Sequence, residues 1–485
     1  DLLRYRLAER KVSSLPDREE QEPDGGERSL SDELIAFPSH PFMRICDACG
    51  MRYAENKDSK EPRAEALRDH YYCAVCLEKR KEDRSIKGER FKSQDSINAF
   101  IEMHKKHIDV PDGEKVPFAW KQVIEYLPDE YVKRIPAGVE RPEDFHALRG
   151  MSGGKDYLAL IYADGNGMGQ LLEDLRTLRE VQEAAEAIDT AIYQAISFAI
   201  GKHLPLVQEG HTARFPFDLL LVGGDDIMMV TPAAPALDVA IALARAFYEQ
   251  TRELTRKYGS GMKDCSLSVG VVLAPITYPF RMLYELVEKT LKSAKKAGTR
   301  PANDRKTKEQ AGKAEYGDTL INFMTVTGST SQDFETVYKS LRAKQKVGER
   351  RREAKFYATL RPYTVERLEM LLDAIREGRK KGLGRTKLHQ IREAVLKMNL
   401  TTSVNEGLAV LRNWRTGQRE FVTRHLYEMG QRYQESYRNI AEPGTLFPRV
   451  TFPWFADGPD TYRTSLLDFV ELYDFVMREG EADEN

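Results

Sequence analysis

The sequence predicts an α+β protein centred on a split βαβ, ferredoxin-like sheet, with a metal-binding module before it and a helical region after it. Three observations predict this. Apolar strand-like runs alternate with helical patterns between residues 151 and 330. Two Cys-x2-Cys pairs lie upstream of that stretch. Downstream, apolar residues recur at helical spacing through residues 331–485.

The 485 residues suffice for roughly three domains. With 41% hydrophobic and 31% charged residues, the chain is expected to be globular with room for real cores. A net charge of −2 gives no global basic field, so any nucleic-acid surface is a local patch. No apolar run is long enough to span a bilayer and no signal-peptide pattern opens the chain. The first residue is Asp1 rather than Met, which reads as a processed or truncated piece. Five cysteines, four in two close pairs, point to a cytosolic metal site rather than disulfides, and so to the cytoplasm.

Residues 1–40 are charged and turn-rich and read as a connector, or the remnant of a preceding domain. Residues 41–150 read as a zinc-binding module with a helical linker. Cys46 and Cys49, a 23-residue spacer, then Cys73 and Cys76 can present four thiolates to one tetrahedral Zn²⁺. Four protein ligands close the site, so this zinc holds structure; redox pairs or ordinary thiols are the alternatives. Glu55 to Arg68 is polar and reads as an exposed loop or short helix. The Lys- and Arg-rich run Lys79–Lys92 is either a solvated helix face or a phosphate-contacting surface.

Residues 151–330 form the central unit. Asp156 to Asp164 reads as a buried strand ending in a carboxylate, and Gly165, Asn166, Gly167, Met168 and Gly169 follow before a helix begins. A strand, a Gly-rich turn and a helix start form an anion-binding arrangement. No Gly-Lys-Ser/Thr follows, so it is not a Walker loop. Phe217 to Val230 reads as two strands joined at Gly223, Gly224, Asp225 and Asp226. Two carboxylates at such a turn suit a divalent metal, since Mg²⁺ takes one or two carboxylates plus substrate phosphates; a solvated turn is the plain alternative. A helix from Pro235 to Tyr258, a strand from Cys265 to Ala274, a helix from Phe280 ending at Gly298 and a strand from Leu320 complete the unit. Lys292, Lys295 and Lys296 sit in the last turns of that second helix. Cations favour a helix C-terminus anyway; beside a nucleotide one of them neutralises the triphosphate. In residues 331–485, Thr364 and Thr386 are the expected caps of two helices, and Glu479 to Asn485 form an acidic tail.

The Ala163–Gly169 turn, the Gly223-Gly224-Asp225-Asp226 hairpin, Ser268-Val269-Gly270 and the Lys-rich helix resemble the palm polymerase/cyclase domain of the large subunit of type III CRISPR effector complexes. The zinc pairs before it and the helical region after it stand in that family's order, so the resemblance covers roughly residues 40–485. It implies a ferredoxin-like palm of the nucleotidyl cyclase/polymerase type with two Mg²⁺ or Mn²⁺ ions. Such a palm joins ATP into cyclic oligoadenylate when a guide complex holds target RNA. Asp164 and Asp225 would hold the metals, with Asp226 as a further ligand. Gly165, Asn166, Gly167, Gly169, Gly223, Gly224, Ser268, Lys292 and Lys295 would bind nucleotide. Partners would be ATP, subunits of a guide-RNA complex and target RNA, with no membrane; the family also allows a homodimer through the palm. Diguanylate cyclases share the palm but favour Glu-Glu-Phe after Gly-Gly, whereas Ile227 follows Asp226 here. Two departures from the CRISPR family stand out. No His-Asp dipeptide of the family's nuclease domain occurs, and only residues 1–40 are left for a first palm. Two rivals therefore remain: a stand-alone palm synthase of another cyclic nucleotide, and a non-catalytic scaffold subunit.

Overall fold

The computed structural model describes residues 46, 54, 56–57, 71–78, 96–107, 118–142, 144–149, 156–173, 175–209, 212–258, 265–298, 319–328, 333–347, 352–437, 450–457 and 460–476. The expected connector 1–40, Cys49, the run Lys79–Lys92 and the acidic tail lie outside them.

Upstream, β1 (Asn56–Lys57) pairs antiparallel with β2 (Tyr71–Tyr72), so part of the expected polar loop is a strand. Helices α1 (Phe118–Tyr126) and α2 (Asp129–Arg134) follow. Trp120 of α1 stacks on Phe217 with ring centroids 5.4 Å apart, which docks this linker on the central unit.

That unit runs β3 (Tyr157–Asn166), α3 (Met168–Glu173), α4 (Leu178–His203), the short hairpin β4 (Val207–Glu209) and β5 (Thr212–Arg214), then β6 (Asp218–Gly223) and β7 (Asp226–Pro232). It continues with α5 (Ala236–Tyr258), β8 (Ser266–Pro275), α6 (Phe280–Gly298) and β9 (Leu320–Thr325). The β4–β5 hairpin is too short to carry a period and was not expected from the sequence. The sheet order is β6-β7-β3-β8-β9, with β3 antiparallel to both neighbours and β9 parallel to β8. Its first four strands have the order and directions of the ferredoxin-like plan. Helix α4 starts at a capping box, with Thr177 accepting from Glu180 N and Glu180 accepting from the Thr177 backbone.

Strand period two divides the sheet into faces. Ala159, Ile161, Ala163, Ile227, Met229, Val269 and Val271 point to the core shared with α4 and α5. Leu158, Leu160, Met228, Val230, Val272 and Ala274 point to the other core, with Leu283, Leu286 and Val287 of α6. Both faces are covered, which is why β8 reads as an unbroken apolar run.

The C-terminal region departs from the expected, mainly helical picture. It contains α7 (Phe334–Ser340), α8 (Val365–Lys380), α9 (Arg385–Leu396), α10 (Leu400–Arg412), α11 (Thr416–Tyr437) and α12 (Leu466–Leu472), but also a second five-stranded sheet. That sheet orders β10 (Arg342–Val347), β11 (Arg352–Tyr357), β14 (Thr461–Arg463), β13 (Trp454–Ala456) and β12 (Val450–Thr451). Three of its strands are two or three residues long, and β10 alternates cations with Ala343 and Gln345, so neither length nor hydropathy betrayed it. Thr364 caps α8 as expected, but α9 begins two residues earlier than expected, after Gly384, with no side-chain cap from Thr386.

The two sheets are joined by a buried polar network. Arg361 bonds Asp468 at 2.9 Å and Glu471 at 2.9 Å, and donates to the Phe323 carbonyl of β9 at 3.1 Å. Asp468 also accepts from Thr359 and the Leu360 N–H. A charge buried this deeply is tolerable only with such complete partnering.

Candidate active site

The α6-facing side of the sheet changes character at one end. Beyond Leu158 and Leu160 the same period places Tyr162, Asp164 and Asn166 on that face. The register sets Asp164 opposite Ser268 and Asn166 opposite Ser266. On the other flank Ala163 pairs with Ile227, so Asp226 falls on the same side one residue further on. Six polar groups thus gather where the apolar core ends.

The hairpin is tighter than the four-residue motif suggests. Gly223 and Asp226 still pair as strand residues, leaving Gly224 and Asp225 as a two-residue tip. Gly224 has φ +60°, the positive first position of a type II′ turn, which a residue with Cβ resists. The tip sits hard against β3. A Cβ on Gly165 would lie 2.8 Å from the Asp225 Cβ and 2.9 Å from its Oδ2. Gly165 therefore serves to admit Asp225. Gly167 has φ +84° and turns the chain into α3, while a Cβ on Gly169 would meet nothing within 4 Å.

Helix α6 delivers the cation. A Cβ on Gly270 would lie 2.7 Å from Leu291 N and 2.9 Å from the Val287 carbonyl, so the helix backbone rests directly on the strand there. The register partner of Gly270 is Asn322, whose buried side chain donates to the Thr290 carbonyl at 3.2 Å. Seated on this pair, α6 brings Lys295 into an ion pair with Asp164. Lys292, a turn earlier, is 68% exposed and bonds Glu288 at 2.9 Å instead.

Burial pushes the Asp164 carboxyl above the usual aspartate range. Lys295 opposes the shift, and the charges of Asp225 and Asp226 add to it. Tyr162 is pushed up by burial and by Asp226, with which its hydroxyl shares a hydrogen bond. Ser268 donates to Asn166 Oδ1 at 3.0 Å, and Asn166 donates to Ser266 Oγ at 3.1 Å, so the Asn166 amide is held rigidly.

Residues 157–303 match the family model described as Cas10/Cmr2, second palm domain. Over this stretch the chain resembles the second palm of the Cas10 large subunit. This match takes in Tyr162, Asp164, the hairpin, Ser268 and Lys295 together. Among solved structures the chain is similar to Csm1 in T. onnurineus, with 17% identity over 76% of this chain and 44% of that one, TM-score 0.39. It is also similar to a Csm1–Csm4 cassette in complex with cA4, at 14% identity over 67% of this chain and 38% of that one, TM-score 0.38. A third is a Csm1–Csm4 cassette in complex with cA3, at 18% identity over 32% of this chain and 21% of that one, TM-score 0.25. The chain spans less than half the length of these structures. No curated protein matches it.

A Cas10-type palm implies divalent metal, and the donor types suit one, while the ligand atoms of Asp164, Asp225 and Asp226 do not all lie within 4.8 Å of one another. Asp164, Asp225 and Asp226 offer carboxylate oxygens, the donors hard cations take, and Lys295 and Tyr162 balance or hold two of the three. Upstream, the Sγ atoms of Cys46, Cys73 and Cys76 lie within 4.8 Å of one another, a donor set that suits zinc. Among the described residues no helix is long and apolar enough to cross a membrane.

Tyr162 and Asn322 were missed from the sequence, and Gly270 was marked only as part of the Ser268-Val269-Gly270 motif, without its role in seating α6. Tyr162 carried a usable signal, being two residues before Asp164 on one strand. Asn322 carried a weaker one, as a polar residue inside an apolar strand.

Proposed function

We propose that this Cas10 relative is a metal-dependent nucleotidyltransferase that joins ATP into cyclic oligoadenylate in type III CRISPR defence. One observation carries the reading: every polar group of the site lies in the stretch that matches the Cas10/Cmr2 second palm. Asp164, Asp225 and Asp226 are the residues that would hold two Mg²⁺ or Mn²⁺ ions. Bound there, such ions supply Lewis acidity to the attacking 3′-hydroxyl and the leaving pyrophosphate. The chain's own residues bind and orient. The backbone from Gly165 to Gly169 and the tip at Gly223 and Gly224 flank the opening where a triphosphate would lie. Lys295 exchanges its Asp164 partner for the triphosphate, so one cation serves the empty and the loaded site. Ser268 fixes Asn166, and Tyr162 fixes Asp226. Lys292 has the weaker claim and contributes at most long-range charge.

Domain roles follow: a zinc module at 41–150, with Cys49 as fourth ligand to one structural Zn²⁺; the palm at 151–330; and a C-terminal region at 331–485. Guide-complex subunits and target RNA are the partners, in the cytoplasm, and two palms can pair. The test is incubation with each NTP and Mn²⁺, with and without guide complex and target RNA, and mass spectrometry of the products. Cyclic oligoadenylate from ATP alone among the four is the expected result. A product from another NTP, or none under any condition, refutes the reading.

A further inference from the structure

We propose that the solvent face of the second sheet binds single-stranded RNA. The inference is independent of the palm chemistry. In the β10–β11 register Arg342 pairs with Tyr357, Lys344 with Lys355 and Lys346 with Glu353. Directly paired residues share a face, and β14 extends two of these rows, Thr461 beside Lys355 and Arg463 beside Tyr357. The intervening Ala354 and Phe356 are buried in the core. One face therefore carries Arg342, Lys344, Lys346, Lys355 and Arg463 against Glu353 and, through its pair with Arg463 at 2.6 Å, Asp457.

Three features point to a polynucleotide. First, Lys344 and Lys355 are direct cross-strand partners, an arrangement that destabilises a sheet unless an anion lies over it. Lys344 reaches Glu353 at 3.0 Å, while among the described residues Lys346 and Lys355 have no carboxylate partner. Such a surplus of cation in a chain of net charge −2 is local and is not a property of the composition. Second, the arginines lie against aromatic rings. Arg463 sits 4.0 Å and Arg342 5.8 Å from the Tyr357 centroid, and Arg342 sits 5.0 Å from that of Tyr338. Arg463 also lies 4.9 Å from the buried Tyr433 and is only 19% exposed, so it is the exposed Arg342 that offers a guanidinium to unpaired bases. Third, none of the exposed large apolar residues among those described lies on this face. It therefore lacks the apolar anchor that a protein hot spot or a membrane-inserting surface uses. Lysines in rows beside Arg342 on the exposed β10–β11 ribbon suit phosphates and splayed bases.

The experiment is fluorescence anisotropy of a labelled oligouridylate with the full chain, across a salt series. Lys344→Ala, Lys346→Ala and Lys355→Ala combined should weaken binding by about tenfold or more. It should also lower the slope of log affinity against log salt by about 2, since each single-strand phosphate contact contributes about 0.7. The same variant should melt no lower than the parent, because a like-charge pair has been removed. If it fails to fold, Lys346→Ala alone should lower the slope by about 0.7. Asp225→Ala with Asp226→Ala should bind RNA as the parent does, which separates this surface from the palm. Unchanged affinity and slope in the lysine variants overturn the proposal. So does competition by polyglutamate as strong as by unlabelled RNA, which would make the face a site for acidic protein.

Discussion

Replacing Gly165 by alanine should disable the site through one methyl group. The added Cβ would lie 2.8 Å from the Asp225 Cβ, 2.9 Å from Asp225 Oδ2 and 3.0 Å from Met168 Cγ. Carbon atoms rest at about 3.5–4.0 Å, so the shortfall is about 0.7 Å or more. Met168 can give way by rotating its side chain. Asp225 cannot, because its Cβ is tied to a two-residue tip closed by the Gly223–Asp226 pair, and β7 is held in turn by β3. The hairpin tip must therefore shift, and the Asp225 carboxylate with it. Overpacking of this kind costs about 1–3 kcal/mol, offset in part by about 0.5–1 kcal/mol from the lower unfolded-state entropy of alanine. The stability loss should thus stay at or below about 2 kcal/mol. A misplacement near 1 Å in a catalytic array costs on the order of 100-fold in rate. Under the proposed function, turnover of ATP with saturating Mn²⁺ should fall by about 100-fold, with only a modest drop in melting temperature. Gly169→Ala is the control: its Cβ enters open space on a helix and should leave stability unchanged or raised by up to about 1 kcal/mol. Full turnover in Gly165→Ala would refute the claim that this glycine positions Asp225.

Four further outcomes are expected. Asp164→Asn should lower turnover by orders of magnitude while leaving the metal-free melting temperature nearly unchanged, and partial rescue by excess Mn²⁺ is expected by mass action; full activity would leave Asp164 as a mere helix-proximal cap. Tyr162→Phe removes the hydroxyl that holds Asp226 and should reduce kcat more than KM, while an unchanged kcat would make Tyr162 a packing residue only. Burial lowers the pKa of His425 from 6.5 to about 4, so the unfolded chain binds the extra proton first. Stability is therefore full above pH 6.5 and is lost as pH falls through 4, by about 3 kcal/mol; His425→Gln should flatten the melting temperature over that window, and an unchanged slope would exclude this ring. Finally, Cys73→Ser should remove zinc, read by metal analysis, and loosen the upstream module while the palm keeps its melting transition.

The palm was legible because its punctuation is chemical. Glycines and carboxylates interrupt apolar runs at Asp164 and at Gly223–Asp226; the second interruption marks the hairpin, while at the first the strand runs two residues further, to Asn166. The sequence could not give the phase of α6 on the sheet. Lys292 and Lys295 are both in its last turns, and only Gly270 and Asn322, on neighbouring strands, decide that Lys295 meets Asp164. The second sheet was illegible for a different reason. Among the described side chains of β10, only the partly buried Ala343 and Gln345 turn inward, so its pattern is one of charge and carries no hydropathy signal. The start of α9 was misplaced by two residues because Gly384 accepts the cap position without a side chain, leaving Thr386 inside the helix.

The Arg361 network has a mechanical consequence. Strand β9 exchanges two backbone hydrogen bonds with the chain at Tyr363, each 2.8 Å, and its Phe323 carbonyl takes a guanidinium proton from Arg361, itself anchored on α12 by Asp468 and Glu471. A fragment severed after residue 330 would bare that sheet edge and orphan a buried acceptor, so the palm's boundary in composition is not a place where the molecule can be cut. Arg361 thus ties α12 to β9, the strand whose Asn322 bonds the helix that carries Lys295.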